Sequence, residues 1–167
     1  FEVVPREGIT LTESDQPQTL TFTYRHPSGA VTLQKSYTFS PLSYEIEARV
    51  NVHGIGRSLL VTDMGTGLAF SEAREADELR IMGYVTNHLR EGIQAKPMRK
   101  VKEDRTVEGP LIWAALKSKY FLLAILPGTG NDQEQYLGGL LVSPVPGDHQ
   151  SKGAVTQPLG ADGSVSY

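Results

Sequence analysis

The chain has 167 residues, 39% hydrophobic and 21% charged, with no cysteine and a net charge of −3. Domains commonly run about 100–200 residues, so one domain is expected, with enough apolar content for a core and none of the bias of a disordered chain. The missing cysteines exclude a disulfide framework, a thiol nucleophile and a Cys-ligated metal; the mild acidity argues against nucleic-acid binding, whose affinity comes largely from cations that neutralise phosphates.

The chain opens on Phe1 with no initiator Met and no basic-then-apolar leader pattern. It closes on Ser164-Val165-Ser166-Tyr167, which alternates like a strand. Both features suggest a piece cut from a longer protein, with residues 1–167 forming a single domain. Leu111–Pro127 is the most apolar stretch, but Lys117, Ser118 and Lys119 interrupt it. A bilayer span needs about 20 apolar residues, so this stretch is read as core strands.

In chain order, Thr19–Arg25 alternates, with Leu20, Phe22 and Tyr24 on one face and threonines on the other. That is the period of a half-buried antiparallel strand. His26-Pro27-Ser28-Gly29 has turn chemistry. Val31, Leu33, Tyr37 and Phe39 resume the alternation with Lys35 on the same side, which makes a hairpin. Pro41 breaks the run. A third strand follows, with Tyr44, Ile46, Ala48, Val50 and Val52 expected inward and Glu45, Glu47, Arg49 and Asn51 outward, closed by Gly54 and Gly56. Ser58–Thr62 reads as a fourth strand, ending before Gly65-Thr66-Gly67.

Ser71–Glu78 is either a short helix capped by Ser71 or a charged loop. Ile81–Leu89 reads as a strand and Lys96–Arg105 as a charged surface loop around Pro97. Ile112–Leu116 and Tyr120–Leu126 are short apolar runs bounded by Gly109-Pro110 and Pro127-Gly128, which favours two buried strands over a helix. Pro127–Gln135 reads as a turn-rich loop and Gly138–Val142 as a strand. Residues 144–163, rich in Pro and Gly, are expected to form a long loop or loosely attached arm. Many short strands with Gly/Pro turns imply an all-β sandwich with little helix.

Few motifs carry chemistry. Glu45 and Glu47 share a strand face, but the outward one, where carboxylates are ordinarily solvated. His26, His53, His88 and His149 have no metal-ligand spacing; His53 and His88, near strand ends, are the two that a fold can bring together. No G-x-S-x-G elbow is present. Gly65-Thr66-Gly67 and Gly128-Thr129-Gly130 do not extend into a phosphate-binding loop and are read as turns. Lys96, Arg99, Lys100, Lys102 and Arg105 form a basic run partly offset by Glu103 and Asp104. It is a candidate interaction patch for anionic headgroups or an acidic partner. Trp113, Tyr120 and Phe121 are expected to fill the core.

The run Gly109-Pro110-Leu111-Ile112-Trp113-Ala114-Ala115-Leu116-Lys117-Ser118-Lys119-Tyr120-Phe121-Leu122-Leu123-Ala124-Ile125-Leu126-Pro127 resembles a signature of the large periplasmic domain of bacterial YidC membrane protein insertases. There a Gly and a Trp-Ala pair precede a polar link, a Tyr-Phe pair and an apolar run ending in Pro. Leu20-Thr21-Phe22, Lys35-Ser36-Tyr37-Thr38-Phe39, Tyr44-Glu45-Ile46 and Val50-Asn51-Val52 are similar to the family's preceding strands. The likeness extends over roughly residues 18–127, and makes Trp113, Tyr120, Phe121 and Pro127 a structural core signature.

The resemblance implies a twisted β-supersandwich of mostly antiparallel strands, like that of galactose mutarotases. It implies a periplasmic location at the bacterial inner membrane, in a multi-pass parent. It also implies a non-catalytic role, without cofactors, as an interaction surface for Sec translocon accessory subunits or nascent membrane-protein clients. The alternatives weighed beside it are a carbohydrate-binding or mutarotase-like domain, which needs an acid and a base facing one cleft, and a periplasmic holdase with an exposed apolar groove.

Overall fold

The computed structural model describes residues 1–65, 68, 74–128, 135–145 and 151–167. The chain divides into two compact units, each built on one antiparallel sheet.

The first unit draws mainly on Phe1–Ser58 and Leu159–Tyr167. Its strands are β1 (Glu2–Val4), β2 (Gln18–Arg25), β3 (Thr32–Phe39), β4 (Ile46–His53) and β12 (Ser164–Ser166), in the order β1-β2-β3-β4-β12. The β2–β3 hairpin has the expected place and turn: Gly29 donates to the His26 carbonyl at 2.8 Å and holds φ +74°. Register puts Leu20, Phe22 and Tyr24 opposite Tyr37, Lys35 and Leu33, and these opposite Ala48, Val50 and Val52. One face is therefore apolar, with Lys35 the cation on it. The other carries hydroxyls that pair across strands, Thr19 with Thr38 at 2.9 Å and Thr21 with Ser36 at 3.1 Å. Val50, Val52 and Val165 are buried.

The inward set expected for β4 holds at Val50 and Val52 but not at Tyr44 and Ile46, both exposed. Tyr44 precedes the strand, and Ile46 is its first residue, paired with the last residue of β3.

The second unit contains β5 (Leu59–Asp63), α1 (Glu75–Ile81), β6 (Gly83–His88), β7 (Gly92–Pro97), β8 (Arg105–Lys117), β9 (Leu122–Ile125), β10 (Leu137–Pro144) and β11 (Ser151–Pro158), with a one-turn 3-10 helix at Met98–Lys100. The strand order is β5-β11-β10-β8-β6-β7, with β9 pairing β8 beside this path. Leu111, Ala114, Leu116, Leu137, Leu140, Val142 and Val155, on the adjacent strands β8, β10 and β11, are buried.

The all-β class is the one expected, with two antiparallel sheets and little helix. Leu111–Pro127 contributes strands rather than a helix, but the second of them, β9, begins only at Leu122, and Leu122 and Leu123 are exposed rather than buried; no helix among the described residues is long and apolar enough to cross a membrane. Several local expectations are corrected. The described helix runs from Glu75 to Ile81, a residue expected in a strand, while the expected cap Ser71 lies outside the described residues.

The expected loop over 144–163 contains β11, which is hydrogen-bonded between β10 and β5. Its backbone groups are satisfied by the two neighbours, and Val155 and Thr156 are buried, so its Gly and Pro do not make it an arm. Gly109-Pro110 is not a boundary but lies inside β8. The register against β10 shifts there, Leu137 facing Leu111 and Gly139 facing Glu108. A bulge tolerates a proline, which has no N–H to give to the ladder.

Candidate functional site

Within the second unit, β7 runs antiparallel to β6, with Tyr84 opposite Lys96 and Gly83 opposite Pro97. A Cβ on Gly83 would lie 2.6 Å from the Lys96 carbonyl oxygen, so only glycine lets the two strands meet here. The chain then turns sharply. The Met98 N–H donates to the Met82 carbonyl at 3.0 Å, and the Val101 N–H to the Met98 carbonyl at 2.9 Å. Met98 and Val101, three residues apart, are buried on one side of this turn, while Arg99, Lys100 and Lys102 are exposed. Arg105 opens β8, also exposed.

The result is a concave surface of about 600 Å³ that gathers all five basic residues of the predicted patch: Lys96, Arg99, Lys100, Lys102 and Arg105. Tyr84, Ala95, Pro97 and Val101 complete its lining, and among the described residues no carboxylate contributes. Glu103 and Asp104, expected to offset the charge, are exposed in the same loop but outside the lining. The surface is therefore more uniformly positive than the sequence run implies, and it can attract anions.

A second surface lies on the β8–β9 hairpin. Ser118 is buried and organises the turn: its N–H donates to the Phe121 carbonyl at 2.9 Å, and its hydroxyl oxygen accepts from the Phe121 N–H at 3.2 Å. The neighbouring aromatics are turned outward. Tyr120 is 62% exposed and Phe121 59%, and Leu122, Leu123 and Leu126 are exposed beside them. The Lys119 ammonium sits 4.8 Å from the centre of the Tyr120 ring, within cation–π range.

This corrects the expected core signature. Tyr120 and Phe121 are surface residues, and Trp113 and Pro127 are half-buried. The core at this end of β8 is made instead by Leu111, Ala114, Ala115 and Leu116. Strand β8 is the only partner of β9 among the described strands, so β9 is an edge. Exposed apolar edge strands are ordinarily blunted by charge, proline or a bulge; β9 itself has none of these.

The first unit has a smaller hollow of about 290 Å³, lined by Phe1, Phe22, Leu33, Lys35 and Tyr37 on its apolar face. Phe22 and Tyr37 meet edge-on, with centroids 6.1 Å apart.

Two of the histidines are engaged locally. His26 Nδ1 lies 2.7 Å from the Ser28 hydroxyl, and His88 Nδ1 accepts from the backbone N–H groups of Arg90 and Glu91 at 3.1 and 3.2 Å. His53 ends β4 in one unit and His88 ends β6 in the other; His149 lies outside the described residues, as do Thr66, Gly67, Thr129 and Gly130 of the Gly-Thr-Gly runs. Glu45 and Glu47 are exposed, as alternation predicts for the outward face. Among the described residues there is no cluster of three or more side chains suited to a metal ion.

The family model describing the YidC periplasmic domain matches residues 1–158. A membrane protein insertase YidC from Syntrophobacter fumaroxidans is 30% identical over 123 residues, 71% of this chain and 22% of the relative. One from Chlorobaculum tepidum is 29% identical over 131 residues, 66% of this chain and 22% of its own length. A third, from Syntrophus aciditrophicus, is 22% identical over 122 residues, 72% of this chain and again 22% of the relative. The chain thus spans about a fifth of the length of the curated relatives it matches.

Proposed function

We propose, from the premise that this chain belongs to the YidC periplasmic domain family, that it is a non-catalytic interaction domain of a membrane protein insertase. On this reading it stands on the periplasmic side of the bacterial inner membrane and presents a docking surface to Sec translocon components or client segments during insertion and folding.

The observation that carries this reading is the open apolar edge of β9 with the outward Tyr120-Phe121 pair. An extended segment can add to a free strand edge through main-chain hydrogen bonds, while side-chain contacts set its specificity. Tyr and Phe are enriched at protein interfaces, and a contiguous exposed apolar patch marks an interaction site more often than chance. The role needs shape and apolar area rather than a proton shuttle.

The test places a photoreactive residue at Phe121 or Leu123 of the intact insertase in inner-membrane vesicles, with Glu47 on the first unit as control. The reading predicts adducts to a Sec subunit or a nascent client from positions 121 and 123 and none from 47. Equal labelling at all three, or no protein adduct at 121 and 123, would overturn it.

A further inference from the structure

We propose that the concavity bounded by Lys96, Arg99, Lys100, Lys102 and Arg105 docks the phosphates of anionic phospholipid headgroups at the bilayer surface. The proposal draws on the family only for the nearness of a membrane, and does not depend on the β9 surface.

The backbone that carries the cations is held in place. Met98 and Val101 anchor the turn by burial, and two backbone hydrogen bonds close it, so Arg99, Lys100 and Lys102 are carried outward from an anchored turn. Lys96 from β7 and Arg105 from β8 close the ring. Among the described residues no carboxylate lines the hollow, and none of the five cations forms an ion pair with a described residue.

The chemistry favours a field of phosphates over a single fixed ligand. About 600 Å³ of open hollow exceeds the space one phosphate needs. Three of the five cations are lysines, which act as mobile point charges, whereas tight bidentate recognition is the work of arginine. Apart from Tyr84 the rest of the lining offers no polar side chain to read a peptide sequence. Clustered Lys and Arg residues next to an anionic membrane surface attract it additively, and the effect fades within a Debye length.

The chain as a whole carries −3, so its net charge opposes approach to an anionic surface and attraction has to come from a locally positive face. Vesicle binding, where it occurs, must therefore be local and must vanish when the patch is neutralised.

The experiment measures co-flotation of the 167-residue chain with phosphatidylglycerol-containing vesicles and with pure phosphatidylcholine vesicles, at low and high salt. Binding to the anionic vesicles alone, weakened by salt, is expected. The double variant Arg99→Gln/Lys100→Gln should lower partitioning roughly 25-fold, at about fivefold per cation. Arg99→Glu/Lys100→Glu should abolish it, and Arg57→Glu on the first unit should not reduce it. Circular dichroism checks that each variant keeps its fold. Equal binding to both vesicle types, or no loss in either double variant, would overturn the proposal. So would saturable binding of inorganic phosphate or of an acidic peptide by a chain that ignores anionic vesicles.

Discussion

Truncating Leu140 and truncating Phe121 should have opposite consequences, although both residues are large and apolar. Leu140 sits in β10 between β8 and β11, facing Val107 and Val155, with none of its surface exposed. Leu140→Ala removes buried methyl groups and leaves a cavity that the flanking strands can only partly close. The cost should be about 3–5 kcal/mol, in the upper part of the range for such changes. Phe121 is 59% exposed, and its backbone rather than its ring holds the turn through Ser118. Phe121→Ala should therefore stay within about 0.5 kcal/mol of the parent, as surface substitutions do. Urea unfolding followed by Trp113 fluorescence and by circular dichroism gives both numbers. If Phe121→Ala costs as much as Leu140→Ala, the ring is packed in the core and the outward reading of the β8–β9 turn is wrong.

Other expectations are as direct. Trp113, half-buried in β8, should cost about 2 kcal/mol as Ala, below the 3–5 kcal/mol of a fully buried ring, in the same urea assay. Gly8 and Gly54 both have positive φ, +78° and +87°, but a Cβ on Gly54 would overlap the Ala30 carbonyl oxygen while one on Gly8 meets nothing. Gly8→Ala should cost about 1–2 kcal/mol from backbone strain alone and Gly54→Ala distinctly more, measured as the shift in unfolding midpoint. Asp162 accepts hydrogen bonds from the Ser164 hydroxyl and N–H, which hold its carboxyl below the ordinary 3.8. The contribution of this turn is thus complete above the ordinary carboxylate value and is lost as pH falls through the lowered one. A carbon-13 titration should place the Asp162 midpoint below that of a free aspartate, and a midpoint at or above 3.8 would contradict the assignment.

How much of this could be read from the chain alone varied with the kind of signal. Strands β2, β3 and the second half of β4 were legible because strict alternation matched a sheet with one apolar and one hydroxyl-rich face. Strand β7 was hidden because it is an edge strand, with polar Gln94 and Lys96 and a proline, Pro97, that has no N–H to give to a ladder. Strand β11 was hidden because Gly153 and Pro158 read as punctuation, while its strand character comes from neighbours distant in sequence. Gly109-Pro110 looked like a stop because a bulge and a break use the same residues.

The candidate sites divide in the same way. Charge is a local property, so Lys96 to Arg105 stood out at once; the hollow they surround depends on Met98 and Val101 being drawn inward, which the run of charges does not reveal. Aromatic character predicts burial on average, and this misplaced Tyr120 and Phe121. Their orientation is set by one buried serine in the turn, a feature with no periodic signature.

The most direct test of the central account is made on the intact insertase reconstituted in proteoliposomes with the Sec translocon, following insertion of a Sec-dependent client. Phe121→Asp/Leu123→Asp places two charges on the β8–β9 hairpin and its edge strand, at side chains that are 59% and 39% exposed. The account predicts reduced client insertion or reduced association with the translocon, in a protein whose circular dichroism is unchanged. Full insertion and full association in the double variant would contradict it, and the β9 surface would then have no part in the insertase's work.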